Sequence, residues 1–151
     1  FLSQYAGNDQ ISWAMAGRNL EKLTKVRDQL NAPTDTPLIE ANGEDVDSIA
    51  KLVEQTAVVL TTVGPYQLYG ENLIRACAVS GTGYVDLCGE PTWMHDMITK
   101  YQTQAQSSGA KIVFSCGFDS IPFDLGVFHL QQKVIAETSF PLEYVKGRVR
   151  K

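Results

Sequence analysis

Five short apolar segments recur along the chain, and a glycine closes each of them. They are rich in Val, Ile, Thr and aromatic residues, a composition and length that predict β-strands. The segments occupy residues 11–17, 37–43, 57–64, 84–89 and 111–117. Residues 57–60 are continuously apolar, as expected of a strand that is covered on both faces.

Apolar residues at helical spacing fill the intervals between these segments. Leu20, Leu23, Val26 and Leu30 would share one helix face. Similar stripes occupy 46–53, 73–80 and 94–105, and a further helical run extends from about 122 to about 132.

Helix-capping residues agree with this assignment. Asn19 is a good N-cap ahead of the first helical stripe. Pro91 suits the first turn of the fourth helix, and Gly109 suits its end. Strands and helices that alternate at about 25 residues predict an α/β fold with a doubly wound, mostly parallel, Rossmann-like sheet.

Glycines at five strand ends favour a nucleotide crevice, because ligands of open parallel sheets bind beyond the carboxyl ends of the strands. A G-x-G-x-x-G turn should open the first helix of such a fold, but residues 1–151 contain none. We interpret residues 1–7 as the tail of that helix, so the first strand and the phosphate loop are expected upstream of Phe1. A chain that begins with Phe rather than Met also suggests a fragment.

Two domains are predicted. Residues 1–133 would form an N-terminally truncated dinucleotide-binding domain. Residues 134–151 would begin a second, substrate-binding domain, because the rhythm changes after Pro141 and residues 142–149 alternate like a strand.

Charge and cysteine content narrow the function classes. Thirteen Lys and Arg against seventeen Asp and Glu give a net charge of −4, which argues against a nucleic-acid partner. No segment approaches the length of about 20 apolar residues that a membrane span needs, and no signal peptide is evident. Cys77, Cys88 and Cys116 form no CxxC pair. We predict free thiols, no metal site and a cytoplasmic location.

The residues after the first apolar segment carry the cofactor prediction. NAD-binding folds place a carboxylate there, whereas NADP-binding folds accommodate the extra phosphate with an Arg. This chain has Gly17-Arg18-Asn19, which favours NADP. A solvated surface role for Arg18 remains an alternative.

Val63-Gly64-Pro65-Tyr66 follows the strand expected beside the switch point of a 3-2-1-4-5-6 sheet. This loop should pass near the ribose and nicotinamide of a cofactor. Tyr66 could donate a hydrogen bond there, form an apolar wall, or pack inside a Pro-initiated turn.

The remaining polar candidates have structural interpretations. Asp86 is expected to pair with a helix N-terminus, although a catalytic role stays open. Three residues that precede helices are expected to be caps: Glu90, Asp119 and Ser120. Cys88 and Cys116 end neighbouring strands and would be small fillers facing one cleft. His95 and His129 have no evident relay partner.

The chain resembles the saccharopine dehydrogenase-like oxidoreductases, which include the trans-acting enoyl reductases of mycobacteria. The resemblance lies in five stretches: residues 13–23, 63–66, 69–71, 84–90 and 116–122. The resemblance implies an NADP-binding Rossmann domain followed by a substrate domain. It implies hydride transfer to or from a small-molecule or lipid substrate, without assigning catalytic residues. The cofactor-binding candidates are Gly17, Arg18, Asn19, Val63, Gly64, Pro65, Tyr66, Gly89, Cys116, Gly117 and Phe118.

Other interpretations remain open at this point. The chain could be a non-catalytic nucleotide-binding or scaffold protein on the same fold. A methyltransferase would need a carboxylate after an early strand. Arg18 after the first strand disfavours this alternative, whereas Glu40, near the end of the next strand, leaves it open. A homodimer is an open alternative for the assembly.

Overall fold

The computed structural model describes residues 11–149, which contain five strands and six helices. The predictions for residues 1–7 lie outside the described residues. The elements follow in the order β1 (Met15–Gly17), α1 (Leu20–Gln29), β2 (Leu38–Glu40), α2 (Val46–Val53), β3 (Val58–Thr61), α3 (Tyr66–Tyr69), α4 (Glu71–Ser80), β4 (Gly83–Asp86), α5 (Pro91–Ser108), β5 (Ile112–Val113) and α6 (Ile121–Thr138).

All recorded strand pairs are parallel. β1 pairs with β2, with Met15 opposite Leu38. β3, β4 and β5 form a second sheet in that order. If β1 to β5 are numbered as strands 2 to 6 of a sheet with the strand order 3-2-1-4-5-6, the boundary between the two sheets falls where strand 1 would lie. The prediction of a parallel α/β fold is therefore confirmed.

The predicted elements exist, with shifted bounds. Every strand is shorter than its apolar segment: β2 to β5 end before their closing glycines, whereas β1 starts late in its segment and runs to Gly17. Helix α6 continues to Thr138, beyond the predicted limit near residue 132 and across the predicted domain boundary. The strand prediction for 142–149 is wrong: among the described residues no strand pairs with this segment. Alternation cannot by itself supply the backbone partners that a strand needs.

Three of the predicted helix-end residues are confirmed. The Oδ1 atom of Asn19 accepts a hydrogen bond from the Lys22 amide at 2.8 Å. Pro91 stands in the first turn of α5, and Gly109 ends that helix with φ +81°, in the left-handed region that favours glycine. The capping prediction for Ser120 is wrong, since its side chain makes no cap hydrogen bond.

The core lies between the β3–β4–β5 sheet and helices α2, α4 and α5. Its most deeply buried side chains include Ile74, Cys77 and Tyr84, each at most 1% exposed. Around them pack Ala41, Ile49, Leu52, Val53, Tyr66, Leu73, Cys88, Trp93 and Met97. Helix α1 buries no residue completely, so its apolar face is left to line a groove.

In the part of the chain that the structure describes, no helix has both the length and the apolar character required to cross a membrane.

Candidate functional site

A groove of about 700 Å³ opens beyond the carboxyl ends of β1 and β3, between the two sheets. This volume lies within the range of about 300–1,000 Å³ that is typical of ligand sites. Its position is also where open parallel sheets bind ligands. The groove is therefore the candidate site.

Apolar side chains form most of one wall. Leu23 and Val26 of α1 line it, together with Ile49 and Leu52 of α2. Thr61 and Gly64 border the groove from the β3 side. Such a wall can receive a flat ring, while polar groups at the rim orient the rest of a ligand.

Arg18 stands at the rim, directly after β1, and its side chain is exposed. Among residues 11–149 it makes no ion pair or hydrogen bond. The neighbouring Asn19 also lines the groove, but its side-chain oxygen is occupied by the α1 cap. The guanidinium of Arg18 is thus available to an anion.

Lys22 is a second cation on this rim that we did not predict. It lies in the first turn of α1, whereas Arg18 precedes the N-cap Asn19, and both residues line the groove. Together the two cations give the β1 side of the groove the donors that a phosphate monoester needs.

The loop after β3 supplies the opposite side. Val63, Gly64 and Tyr66 line the groove, whereas Pro65 does not. The Gly64–Pro65 peptide is cis.

Tyr66 is only 4% exposed, and its ring packs on Trp93 with centroids 5.6 Å apart. Its hydroxyl donates to the Thr61 carbonyl at 3.3 Å and accepts from the Leu87 amide at 3.4 Å. Burial raises the pKa of Tyr66, although the Leu87 amide opposes that shift. Since the ring is buried and the hydroxyl is engaged within the protein, the interpretation of Tyr66 as a packed residue of a Pro-initiated turn fits the structure best.

Glu90 holds this loop from the far side. Its Oε1 accepts from the Tyr66 amide at 2.8 Å, and its Oε2 accepts from the Gln67 amide at 2.9 Å. The expected cap of α5 is therefore a cap of α3 instead; the side chain makes no cap bond to α5. The carboxylate spans 24 residues of sequence, which no local pattern could indicate.

Asp86 joins the loops after β4 and β5. It is 3% exposed, and its Oδ1 accepts from the amides of Cys88 at 3.0 Å and Ser115 at 2.8 Å. Its Oδ2 accepts from the Tyr84 hydroxyl at 2.8 Å. The predicted structural role fits this geometry, but the partners are loop amides rather than a helix N-terminus.

The Asp86 bonds hold an unusual backbone. Ser115 has φ +57°, a left-handed conformation that costs a non-glycine residue energy. Its hydroxyl donates to the Cys88 carbonyl at 2.7 Å, and its amide donates to Asp86. These bonds fix the start of the loop that carries Cys116.

Besides Pro65, four predicted cofactor contacts do not line the groove: Gly89, Cys116, Gly117 and Phe118. A Cβ at Gly117 would approach the Leu87 Cβ to 2.8 Å, so glycine there serves close packing between two loops. Phe118 is 67% exposed, and its ring meets Phe123 at a centroid distance of 6.2 Å. A role for these four residues in cofactor binding stays a prediction.

The three cysteines are free, as predicted. Burial raises the pKa of Cys77 to about 12 and also raises the pKa of Cys88. Both thiols are therefore protonated at neutral pH and are packing groups, not nucleophiles. Cys116 is half-buried beside the β5 end.

Comparison with family models identifies the family of this chain, and curated proteins show its relatives. The model of the saccharopine dehydrogenase NADP-binding domain matches residues 1–113. A trans-acting enoyl reductase of Mycobacterium ulcerans (strain Agy99) is 42% identical over 155 residues, covering 97% of this chain and 37% of the relative. A trans-acting enoyl reductase of Mycobacterium leprae (strain TN) is 43% identical over 125 residues, covering 82% of this chain and 30% of the relative.

A solved structure shows the same fold. Apo histidine-tagged saccharopine dehydrogenase (L-Glu forming) from Saccharomyces cerevisiae superposes with a TM-score of 0.66 at 18% identity, over 91% of this chain and 28% of that chain. The chain thus spans about a third of the length of these proteins. The family match implies a nicotinamide dinucleotide cofactor, and the chain belongs to the saccharopine dehydrogenase NADP-binding domain family.

Proposed function

We propose that this chain binds NADP(H) in the groove and serves an oxidoreductase that acts on a small-molecule or lipid substrate. The observation that carries the proposal is Arg18, an exposed guanidinium at the groove rim where an NAD-specific fold would carry a carboxylate. Lys22, in the first turn of α1, adds a second positive charge to the groove rim.

Different residues of the groove would contact different parts of the cofactor. Arg18 and Lys22 would hold the 2′-phosphate at the rim of the groove. The loop at Val63 and Gly64 would border the nicotinamide half. When bound, NADPH supplies a hydride that reduces an acceptor, while the acceptor takes up a proton and NADP⁺ remains.

The substrate class follows from the relatives. Those that are 42–43% identical bear the name trans-acting enoyl reductase. An enoyl group is accordingly the substrate that we propose to test first.

Substitution of Arg18 tests cofactor choice. A hydrogen bond to a charged group contributes roughly 1.5–3 kcal/mol, and each ~1.4 kcal/mol is a tenfold change in affinity. Arg18→Ala should therefore weaken NADPH binding about tenfold to a hundredfold and leave NADH binding nearly unchanged. Arg18→Lys should recover part of the loss, because a point charge replaces a planar fork.

Calorimetric titration of the natural protein with NADPH and NADH measures both effects. Arg75→Ala is the matched control, since Arg75 is exposed on α4 and does not line the groove. Equal losses for both cofactors would contradict the phosphate role of Arg18. Oxidation of bound NADPH by enoyl substrates would support an enzyme, whereas binding without turnover would favour the scaffold alternative.

A further inference from the structure

Two loops at the strand ends are tied together by one carboxylate. Glu90 follows β4, yet both of its oxygens accept amides from the start of α3, at Tyr66 and Gln67. Glu90 does not itself line the groove, whereas Tyr66 does. Any effect of Glu90 on a ligand must therefore pass through the β3 loop.

The backbone of Glu90 is itself fixed. Its amide donates to the Cys88 Sγ at 3.3 Å. Cys88 is 2% exposed, and its own amide is bonded to Asp86. The carboxylate thus projects from a rigid base, as a positioning group requires.

A second contact holds the same short helix. A Cβ at Gly70 would lie 2.5 Å from the Trp93 side chain, so the end of α3 lies directly against the first turn of α5. Glu90 and Trp93, three residues apart, thus contact the two ends of α3: Glu90 accepts hydrogen bonds at its start, and Trp93 packs against its end. The Tyr66 hydroxyl is in addition hydrogen-bonded to Thr61 and Leu87.

We infer that Glu90 is a positioning residue for the nicotinamide side of the groove. It presets the Val63–Tyr66 loop, so the cofactor does not pay the entropy of ordering that loop on binding. This inference rests on the proposed function. Arg18 borders the groove after β1, and among the described residues its side chain forms no ion pair with this loop.

Two probes separate the two sides of the groove. NADPH reaches both sides, whereas adenosine 2′,5′-bisphosphate has no nicotinamide half. Glu90→Ala should weaken NADPH binding about tenfold and leave adenosine 2′,5′-bisphosphate binding within twofold of wild type. Arg18→Ala should weaken both probes. A purely structural role for Glu90 would change both probes equally or neither.

Glu90→Gln covers the case in which Glu90→Ala fails to fold. The amide keeps one acceptor oxygen and presents an N–H₂ group to the other amide, so NADPH binding should weaken about threefold. The proton resonances of the Tyr66 and Gln67 amides should move upfield as the charged bonds are lost. Glu54→Gln is the control, because Glu54 is exposed at the end of α2 and should leave both measurements unchanged.

The outcomes distinguish failure of the proposed function from failure of the positioning role of Glu90. If the wild-type natural protein binds neither probe, the proposed function falls and the role of Glu90 falls with it. If the wild type binds NADPH and both Glu90 variants bind it equally well, only the positioning role is overturned. Selective loss of NADPH binding together with the amide shifts supports it.

Discussion

Removing the Asp86 carboxylate should destabilise the sheet more than any surface change. Asp86→Ala leaves three donors without their acceptor: the Tyr84 hydroxyl and the amides of Cys88 and Ser115. An unpaired buried donor costs about 1–3 kcal/mol, so the free energy of unfolding should fall by about 3–6 kcal/mol, given that Ser115 is only half-buried. A whole domain is stable by only about 5–15 kcal/mol.

Asp86→Asn should cost much less. The amide oxygen still accepts both backbone N–H groups, and the Tyr84 hydroxyl can turn to accept from the new amide N–H₂. The loss of charge should reduce the free energy of unfolding by about 1–2 kcal/mol. A larger loss of unfolding free energy for Asp86→Ala than for Asp86→Asn separates the effect of losing the acceptors from the effect of losing the charge.

Urea unfolding followed by the fluorescence of Trp93, which is 7% exposed, measures these free energies. Asp35→Asn is the matched control, because Asp35 is exposed in a turn; it should change stability by no more than about 0.5 kcal/mol. A loss below about 1 kcal/mol for Asp86→Ala would refute the reasoning, since it would mean that the three donors find other partners.

Two further predictions concern alkaline stability and glycine packing. Burial, and then the bond to Asp86, raise the pKa of Tyr84 far above its usual 10.0. Above pH 10 the unfolded state therefore binds fewer protons than the folded state, and the free energy of unfolding falls as pH rises. Tyr84→Phe should flatten that fall, as measured by urea midpoints from about pH 8 to about pH 11. Gly70→Ala should lower stability by about 1–3 kcal/mol, because its Cβ would meet Trp93 at 2.5 Å. Gly126→Ala, in helix α6 with open space around it, should instead raise stability by about 0.5–1 kcal/mol; equal effects of the two glycine changes in thermal unfolding would contradict the packing argument.

Local signals in the sequence identified the elements of this fold. The Asn19 cap and the Gly109 end are confirmed because each depends on residues within a few positions of itself. The parallel arrangement followed from strand spacing alone, since parallel strands need a crossover between them.

Contacts between distant residues escaped the sequence analysis. Glu90 precedes Pro91 and was expected to cap α5, yet its carboxylate satisfies amides 23 and 24 residues earlier. Both arrangements obey the rule that a helix start attracts an acceptor. Only the packing of α3 against α5 decides which start receives it.

The strand prediction for 142–149 failed for a related reason. Alternating apolar residues describe one face of a strand, but a strand also requires a neighbour to bond with. Among the described residues this segment has none, and Tyr144 within it is 75% exposed.

The division into two sheets has a consequence for cooperativity. Among the described residues β1 pairs with β2 alone, and a two-stranded sheet is marginal on its own, so both strands depend on α1, which packs on them, and on the bond from Asn72 to the Gly43 carbonyl. Amides of β1 and β2 should then open to hydrogen exchange by local unfolding before those of β3 and β4. Arg18 stands on this less stable side. A ligand that bridges the groove will therefore bind only molecules in which β1 and β2 are folded, and its binding energy will appear as slower exchange in these two strands.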